Sequence, residues 1–330
     1  NTAIQSLTPQ GIKVIFSSFF IGHYAPLTFL SYAIEYHFFK LNPFPFHLFN
    51  LILHLLNCLL VFWLFYLISG NMVSSLLVAL LFGIHPLQVQ TVAWISERKN
   101  LLYGLFYLGA MVCYCYYVRS RFRLQYYLAA LFLFLLSLLA KSMAVTLPLL
   151  LIVFDYFVYG RSDRKIIVEK VPFFLLSLAF ALVAIVGSHI TGNIRGQSLF
   201  AIWDKIITAG YAIITYLYKI FLPINLASLY HYSEDLTTHF RPLFIYSSAT
   251  LFLWISALII SSHYTKKALW GSLFFLVTIL PILQFIPTGE MIIADHYIYI
   301  SVLGIFYIIS EGIMWLYKRN KDKGVLANIT

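Results

Sequence analysis

Charged residues and cysteines are both scarce in this chain, and each shortage excludes some classes of protein. Only 10% of its 330 residues are charged and 61% are hydrophobic, whereas a typical soluble domain has about 25% charged residues. This composition excludes a soluble globular domain and predicts a protein that lies in a bilayer. The three cysteines lie inside apolar runs without metal-ligand spacing, so we interpret them as small buried hydrophobic residues.

The usual signatures of soluble catalysis are missing as well. The chain has no glycine-rich phosphate loop, no zinc-ligand spacing and no serine, histidine and aspartate pattern in a usable context. We therefore predict no cofactor, and a divalent metal has no support in the sequence. The formal net charge of +10 comes from basic residues in short loops between apolar runs, as the positive-inside rule describes. We accordingly predict no nucleic-acid partner.

Long apolar runs fill most of the chain. We predict an all-α polytopic membrane protein, a single domain over residues 1–330 with about nine transmembrane helices. The predicted spans are 48–69, 72–84, 101–118, 124–140, 142–159, 171–188, 243–262, 268–287 and 297–317. The run at 72–84 is short, and we expect it to reach the surface with the help of 86–92.

Two further runs are less apolar than these spans. The run at 24–39 is broken by polar residues and is predicted as an amphipathic helix. The run at 199–222 contains Asp204, Lys205 and Lys219, and is predicted as a surface or re-entrant helix of the outer face.

The basic loops predict an orientation. If 199–222 does not cross the bilayer, the four clearest basic loops (119–123, 160–165, 265–267 and 318–323) all lie inside. In that arrangement 13 Lys and Arg residues lie inside and 9 outside, and a crossing at 199–222 reverses the bias. This orientation places three polar segments, 85–100, 140–142 and 288–296, on the outer side. We predict that they converge on one outer-face cavity.

The polar segment HPLQVQTVAWISERKN (85–100) is the densest in the chain. Glu97 could act as a general acid or base, and Arg98 with Lys99 could hold a phosphate. An interfacial loop with ordinary charges is the equal alternative. Lys141 stands alone between two spans, where it either extends to the interface or binds a lipid phosphate.

Polar residues at two other places complete the candidates. Asp295 and His296 precede the last predicted span, and Tyr297 beside them is either an interfacial aromatic or a sugar-stacking surface. His47 begins a helical stripe that continues with Asn50, His54 and Asn57. Such polar side chains usually bond neighbouring helices, and a site role fits His47 best because it lies nearest the outer surface.

Five segments in order resemble a known family, the membrane domain of the tetratricopeptide-repeat-linked GT-C glycosyltransferases. Its eukaryotic members are the transmembrane and tetratricopeptide-repeat-containing O-mannosyltransferases, and a bacterial relative is the expected source. The matching segments are YAPLTFLSYAIEYHFFKLNPFPFHLFNLILHLLN (24–57), HPLQVQTVAWISERKNLL (85–102), LAKSMAVTLPLLL (139–151), LPINLASLYHY (222–232) and ADHYIYISVLGIF (294–306).

The resemblance implies a GT-C-like bundle that moves a sugar from a polyprenyl-phosphate carrier to a protein or glycan acceptor. It implies catalytic roles for Glu97 and Asp295. It implies substrate or phosphate contacts for His47, His85, Arg98, Lys141, His296 and Tyr297. The family keeps an aspartate base after its first span and has repeats after its last. We therefore expect a chain truncated at both ends, without the catalytic aspartate loop.

The chain also departs from the family pattern at several positions. The departures are Ala25, Gln88, Gln90, Asn100, Ser142 and His296. Three alternative functions stay open: a membrane transporter, a lipid-linked polysaccharide polymerase or ligase, and an inactive paralogue acting as a binding module. The expected location is a bacterial inner membrane, or the endoplasmic reticulum if the source is eukaryotic.

Overall fold

The protein is a bundle of helices. The computed structural model describes residues 4–5, 7–20, 22–190, 202–227, 230–231, 241–262, 265–283 and 291–327. Its α-helices are α1 (Pro9–Ser17), α2 (Pro26–Phe39), α3 (Pro43–Ser69), α4 (Met72–Ile84), α5 (Val89–Ala93), α6 (Arg98–Arg119), α7 (Leu124–Ala140), α8 (Leu147–Tyr159), α9 (Lys165–Ile190), α10 (Ile202–Phe221), α11 (Arg241–Ser262), α12 (Lys266–Ile279) and α13 (Val302–Ala327). Two short strands, β1 (Tyr230–His231) and β2 (Met291–Ile293), pair antiparallel.

A helix lies at each of the nine predicted spans, and the prediction of an all-α polytopic membrane protein is confirmed. Four helical segments of the described chain are long and apolar enough to cross a membrane alone: Pro43–Ser69, Ile95–Arg119, Ser142–Tyr159 and Lys165–Ile190. A fifth is possible if α4 and Pro86–Ala93, which meet at an angle of 53°, form one broken span. This pair corresponds to the short run at 72–84, which we expected to reach the membrane surface only with the help of residues 86–92.

Local sequence signals set where the helices begin and end. Asn42 caps α3, since its Oδ1 accepts a hydrogen bond of 3.1 Å from the backbone N–H of Phe44. Gly70 ends α3 in the left-handed region, with a φ of 63°. Asn71 then caps α4 through the amides of residues 73 and 74. Proline 86 stops α4 at His85, because the residue before a proline avoids helical geometry.

Helix α6 lies at the centre of the bundle. In the most apolar stretch of α6, 67% of the residues are buried inside the bundle. The corresponding share for α9 is 17%, so α9 lies at the periphery. On another side, α12 and α13 cross closely at Gly271 and Gly304: a Cβ built on Gly304 would lie 2.1 Å from the carbonyl oxygen of Gly271. Only glycine permits this approach of the two backbones.

The polar residues separate to the two ends of the bundle. At one end, the basic loops meet: the Arg161 guanidinium lies 4.6 Å from the ring centroid of Phe122, and Lys266 Nζ lies 5.8 Å from that of Tyr156. The polar segments around residues 97, 141 and 296 meet at the other end. That α10 does not cross the membrane stays a prediction. The positions best suited to label its two flanks, residues 197 and 233, lie outside the described residues.

Candidate functional site

The three polar segments converge on the buried amide of Asn100, at the start of α6. Its Nδ2 donates to Glu97 Oε2 at 2.5 Å and to the backbone carbonyl of His296 at 3.0 Å. Its Oδ1 accepts from Lys141 Nζ, at the end of α7. The segments 85–100, 140–142 and the described end of 288–296 therefore meet, as predicted. That they do so on the outer face stays a prediction.

A cavity of about 450 Å³ opens beside this junction. Its polar end is formed by Lys99, Lys141, His23, His296 and Tyr297. The remaining wall is mostly apolar and comes from the turn at 142–146, α8, α9 and the turn after α12; it includes Val145, Leu149, Ala181, Ala184, Ile185, Leu280, Pro281 and Ile282. The volume lies within the range of small-molecule sites, which is about 300–1,000 Å³. The cavity thus joins a cationic end to an apolar groove.

Glu97 lies behind the cationic end and is 1% exposed. Its Oε1 lies 3.1 Å from Lys99 Nζ and 3.6 Å from His296 Nε2. Lys99, Asn100 and His296 surround the two carboxylate oxygens of Glu97.

The cations of the polar end differ in their partners. Lys99 is paired with a carboxylate, whereas Lys141 bonds a neutral amide and lies 5.4 Å from the ring centroid of Tyr297. Burial lowers the pKa of Lys141 to about 7, against the opposing attraction of Glu97. Burial likewise lowers the pKa of His296 to about 3, so that ring is neutral. Two lysines and one carboxylate leave a single net positive charge when Lys141 is protonated.

Three of the expected site residues belong to the cavity: Lys141, His296 and Tyr297 line it. Glu97 supports it from behind. In that position its carboxylate holds Lys99 and His296 in place, and its oxygens have no open direction toward a substrate. The described residues that line the cavity include no carboxylate at all.

Arg98, expected on the phosphate, lies elsewhere, fully buried between α2, α3 and α6. Its Nη1 donates to Glu35 Oε2 at 2.6 Å, Nε to Asn50 Oδ1 at 2.9 Å and Nη2 to the carbonyl of Phe46 at 2.9 Å. The guanidinium also lies 4.7 Å from the ring centroid of Tyr32. All three of its nitrogens are occupied, so Arg98 ties helices together and does not reach the cavity.

Asp295, expected to be catalytic, also points away from the cavity. Its Oδ2 accepts from the amide of Ala227 at 2.9 Å and from the hydroxyl of Tyr230 at 3.2 Å, and its Oδ1 lies 3.7 Å from Lys219 Nζ. Burial raises the pKa of Asp295, against the attraction of Lys219. This cluster ties the turn at 295–298 to the end of α10.

The two remaining candidates lie outside the cavity as well. His85 bonds the carbonyl of Ile220 at 3.0 Å through Nε2, and its Nδ1 accepts from the amide of Leu87 at 3.3 Å. It therefore joins the end of α4 to α10. His47 is exposed on the first turns of α3 and does not line the cavity.

Sequence reasoning missed His23 and the role of Asn100. His23 lines the cavity. Its backbone pairs antiparallel with that of Phe20, and Gly22 lies in the tight turn between the two residues. In the sequence His23 directly precedes the matching segment that begins at Tyr24. That position could have indicated that His23 belongs to the site. No three His, Cys, Asp or Glu side chains converge at metal-binding distance among the described residues.

Together, the fold and this cavity define a class: a polytopic membrane protein with a part-cationic, part-apolar cavity. Over 168 residues the chain is 31% identical to human "Protein O-mannosyl-transferase TMTC4", an alignment that covers 45% of this chain and 23% of that protein. It is also 31% identical over 169 residues to "Protein O-mannosyl-transferase tmtc2" of Xenopus laevis, covering 48% of this chain and 20% of that protein. A third relative, human "Protein O-mannosyl-transferase TMTC2", is 28% identical over 176 residues.

These relatives confirm the resemblance that the motifs indicate. The alignments cover less than a quarter of the length of the two first-named relatives. No protein-family profile matches the chain, and no solved structure matches it.

Proposed function

We propose that the cavity binds a polyprenyl-phosphate-linked sugar, and that the protein transfers this sugar to a protein acceptor. The observation that carries the proposal is the junction of a cationic end with an apolar wall in one cavity. A polyprenyl phosphodiester has the matching shape, with one negative charge on a long hydrocarbon chain. The relatives support the transfer to protein, because each is named a protein O-mannosyl-transferase.

The charges suit a phosphodiester. Lys99 and Lys141 lie at the polar end with Glu97 behind them, so that the net charge is a single positive one. In the proposed reaction the bond between the anomeric carbon and the phosphate oxygen breaks, and a bond to the acceptor oxygen forms. The acceptor proton passes to a carboxylate base. The two lysines stabilise the phosphate that leaves, and the described lining supplies this half of the chemistry.

A binding module without turnover is the second candidate. The absence of carboxylates among the described lining residues favours it, because transfer needs a base near the acceptor. Sugar transfer from a polyprenyl-phosphate sugar to an acceptor peptide separates the two: product formation supports the transferase, and tight binding without product supports the module. The membrane, bacterial inner membrane or endoplasmic reticulum, stays a prediction.

Binding of farnesyl phosphate, a short polyprenyl phosphate, tests the phosphate site in nanodiscs. We expect Lys141→Met and Lys99→Met each to weaken binding by about tenfold, the effect of one lost charge-assisted contact. Lys13→Met is the matched control, since Lys13 is exposed on α1 and outside the cavity. Farnesol, which lacks the phosphate, is expected to bind all four proteins equally. Equal binding of farnesyl phosphate by all four proteins would refute the proposal.

A further inference from the structure

The side chain of Asn100 joins the segments that form the polar end of the cavity. It is 1% exposed, and it bonds Glu97, the backbone at His296 and Lys141 at once. These partners come from three separate stretches of the chain, before α6, before α13 and after α7. The position of the Lys141 ammonium therefore depends directly on this amide.

The partner of Lys141 is uncharged, and this distinguishes it from the second lysine. Lys99 lies 3.1 Å from a Glu97 oxygen, so that its charge is largely balanced. No described carboxylate oxygen lies within 4.0 Å of Lys141 Nζ. An amide oxygen orients an ammonium group by accepting a hydrogen bond, yet it leaves the positive charge free to attract an anion.

We propose that Asn100 is a positioning residue that aims the Lys141 ammonium into the cavity without neutralising it, so that anion binding follows the protonation of Lys141. The inference deepens the proposed function and rests on it for the identity of the anion. Its first part, the control of the Lys141 charge by Asn100, concerns the protein alone and is measured without ligand.

The groups that face Lys141 decide the pH range. They are Lys99 on α6, Glu97 before it, His296 and Tyr297 on the turn before α13, and His23 before α2. The facing residues of the 142–146 turn and of α9 are uncharged.

Of these groups, the two histidines titrate well below neutrality. Burial lowers the pKa of His23 to about 4 and that of His296 to about 3, so both are neutral near pH 7. Lys141, with its pKa lowered by burial to about 7, gains its charge below this pH and loses it above.

The first experiment measures the titration of Lys141 in the full chain. Competitive acylation of lysines, followed by mass spectrometry, gives the pH at which the Lys141 amine becomes reactive. We expect a midpoint near neutral pH in the wild type. Asn100→Asp is made in a Glu97→Gln background, because its carboxylate would otherwise face that of Glu97 at 2.5 Å and share a proton with it. In that background it places a carboxylate beside the ammonium and should raise the midpoint by about one unit or more relative to Glu97→Gln alone. Asn42→Asp is the matched control: the same chemical change at an exposed helix cap, with no shift expected.

The second experiment follows the binding of farnesyl methyl phosphate, a phosphodiester whose single negative charge does not change between about pH 6 and pH 8. An amine that titrates near neutrality loses its charge over this range. The wild type should lose about tenfold in affinity as the pH rises through this range. Lys141→Arg keeps its charge throughout, so its affinity should not change with pH. This variant keeps the inference testable if Asn100→Asp fails to fold.

The outcomes separate the two claims. A wild-type midpoint near that of a free lysine, or a midpoint that Asn100→Asp does not move in the folded Glu97→Gln background, overturns the inference about Asn100. A midpoint that moves as expected, without any binding of farnesyl methyl phosphate, supports the positioning role and refutes the proposed phosphate site. Equal pH dependence of binding in Lys141→Arg and the wild type overturns the link between Lys141 and anion binding.

Discussion

Replacing Arg98 by methionine tests whether this residue stabilises the fold or binds phosphate. The guanidinium is fully buried, makes three hydrogen bonds and pairs with Glu35 at 2.6 Å. Removing one partner of such a pair leaves an uncompensated buried charge, which costs about 3–5 kcal/mol. We expect Arg98→Met to lose this much in free energy of unfolding, measured by tryptophan fluorescence in nanodiscs. The affinity of the folded fraction for farnesyl phosphate should not change.

The stability of Arg98→Met should also depend on pH, in a direction that follows from the pKa of Glu35. Burial raises the pKa of Glu35, and Arg98 opposes the rise. Without Arg98 the folded-state pKa rises further above the unfolded value. A group of this kind contributes stability that is present at low pH and is lost as the pH rises through its folded pKa. Arg98→Met should therefore be more stable at pH 5 than at pH 8.

A double variant provides the control. Arg98→Met combined with Glu35→Gln removes both charges, and should lose less stability than Arg98→Met alone. The reasoning is refuted if Arg98→Met unfolds at the wild-type denaturant concentration and binds farnesyl phosphate about tenfold more weakly. That result would return Arg98 to the phosphate site.

Two further substitutions test the packing of the bundle. Gly304→Ala would place a Cβ 2.1 Å from the Gly271 carbonyl oxygen, and should cost about 1–3 kcal/mol or more. The control Gly312→Ala meets no heavy atom within 4 Å and should be neutral or slightly stabilising; equal unfolding midpoints for the two alanine variants would contradict the close crossing. Lys170→Met would remove the nearer of the two cations that pair with Asp155, a fully buried carboxylate that lies 2.5 Å from Lys170 and 3.1 Å from Arg161. Because Arg161 remains, the loss should be that of one hydrogen bond to a charged group, about 1.5–3 kcal/mol, and an unchanged midpoint would show that Lys170 does not stabilise the bundle.

The helices were predictable because a membrane span leaves a long apolar run in the sequence. The runs at 48–69 and 101–118 coincide with α3 and α6, and the short run at 72–84 needed its bent extension. The convergence of the polar segments was also predictable. The basic loops indicate on which side of the membrane each loop between spans lies, and they place 85–100 and 140–142 on the same side. These inferences require only local composition and the direction of the chain.

The direction of individual side chains was not predictable. Arg98 and Lys99 are adjacent, and neighbouring residues on an α-helix point about 100° apart. One therefore enters the helix junction with Glu35 while the other faces the cavity. Asp295 and His296 diverge in the same way on a 3-10 turn. Which of two neighbours reaches the site depends on partners far away in the sequence.

The most direct test of the central claim is to locate a bound polyprenyl phosphate on the chain. A farnesyl phosphate that carries a diazirine in its hydrocarbon part would be photolysed in nanodiscs, and the labelled residues identified by mass spectrometry. We expect labels on the apolar wall, at Leu149, Ala184 or Ile282, and their loss in Lys141→Met. Labels confined to other surfaces, or an unchanged pattern in Lys141→Met, would contradict a phosphate site in this cavity.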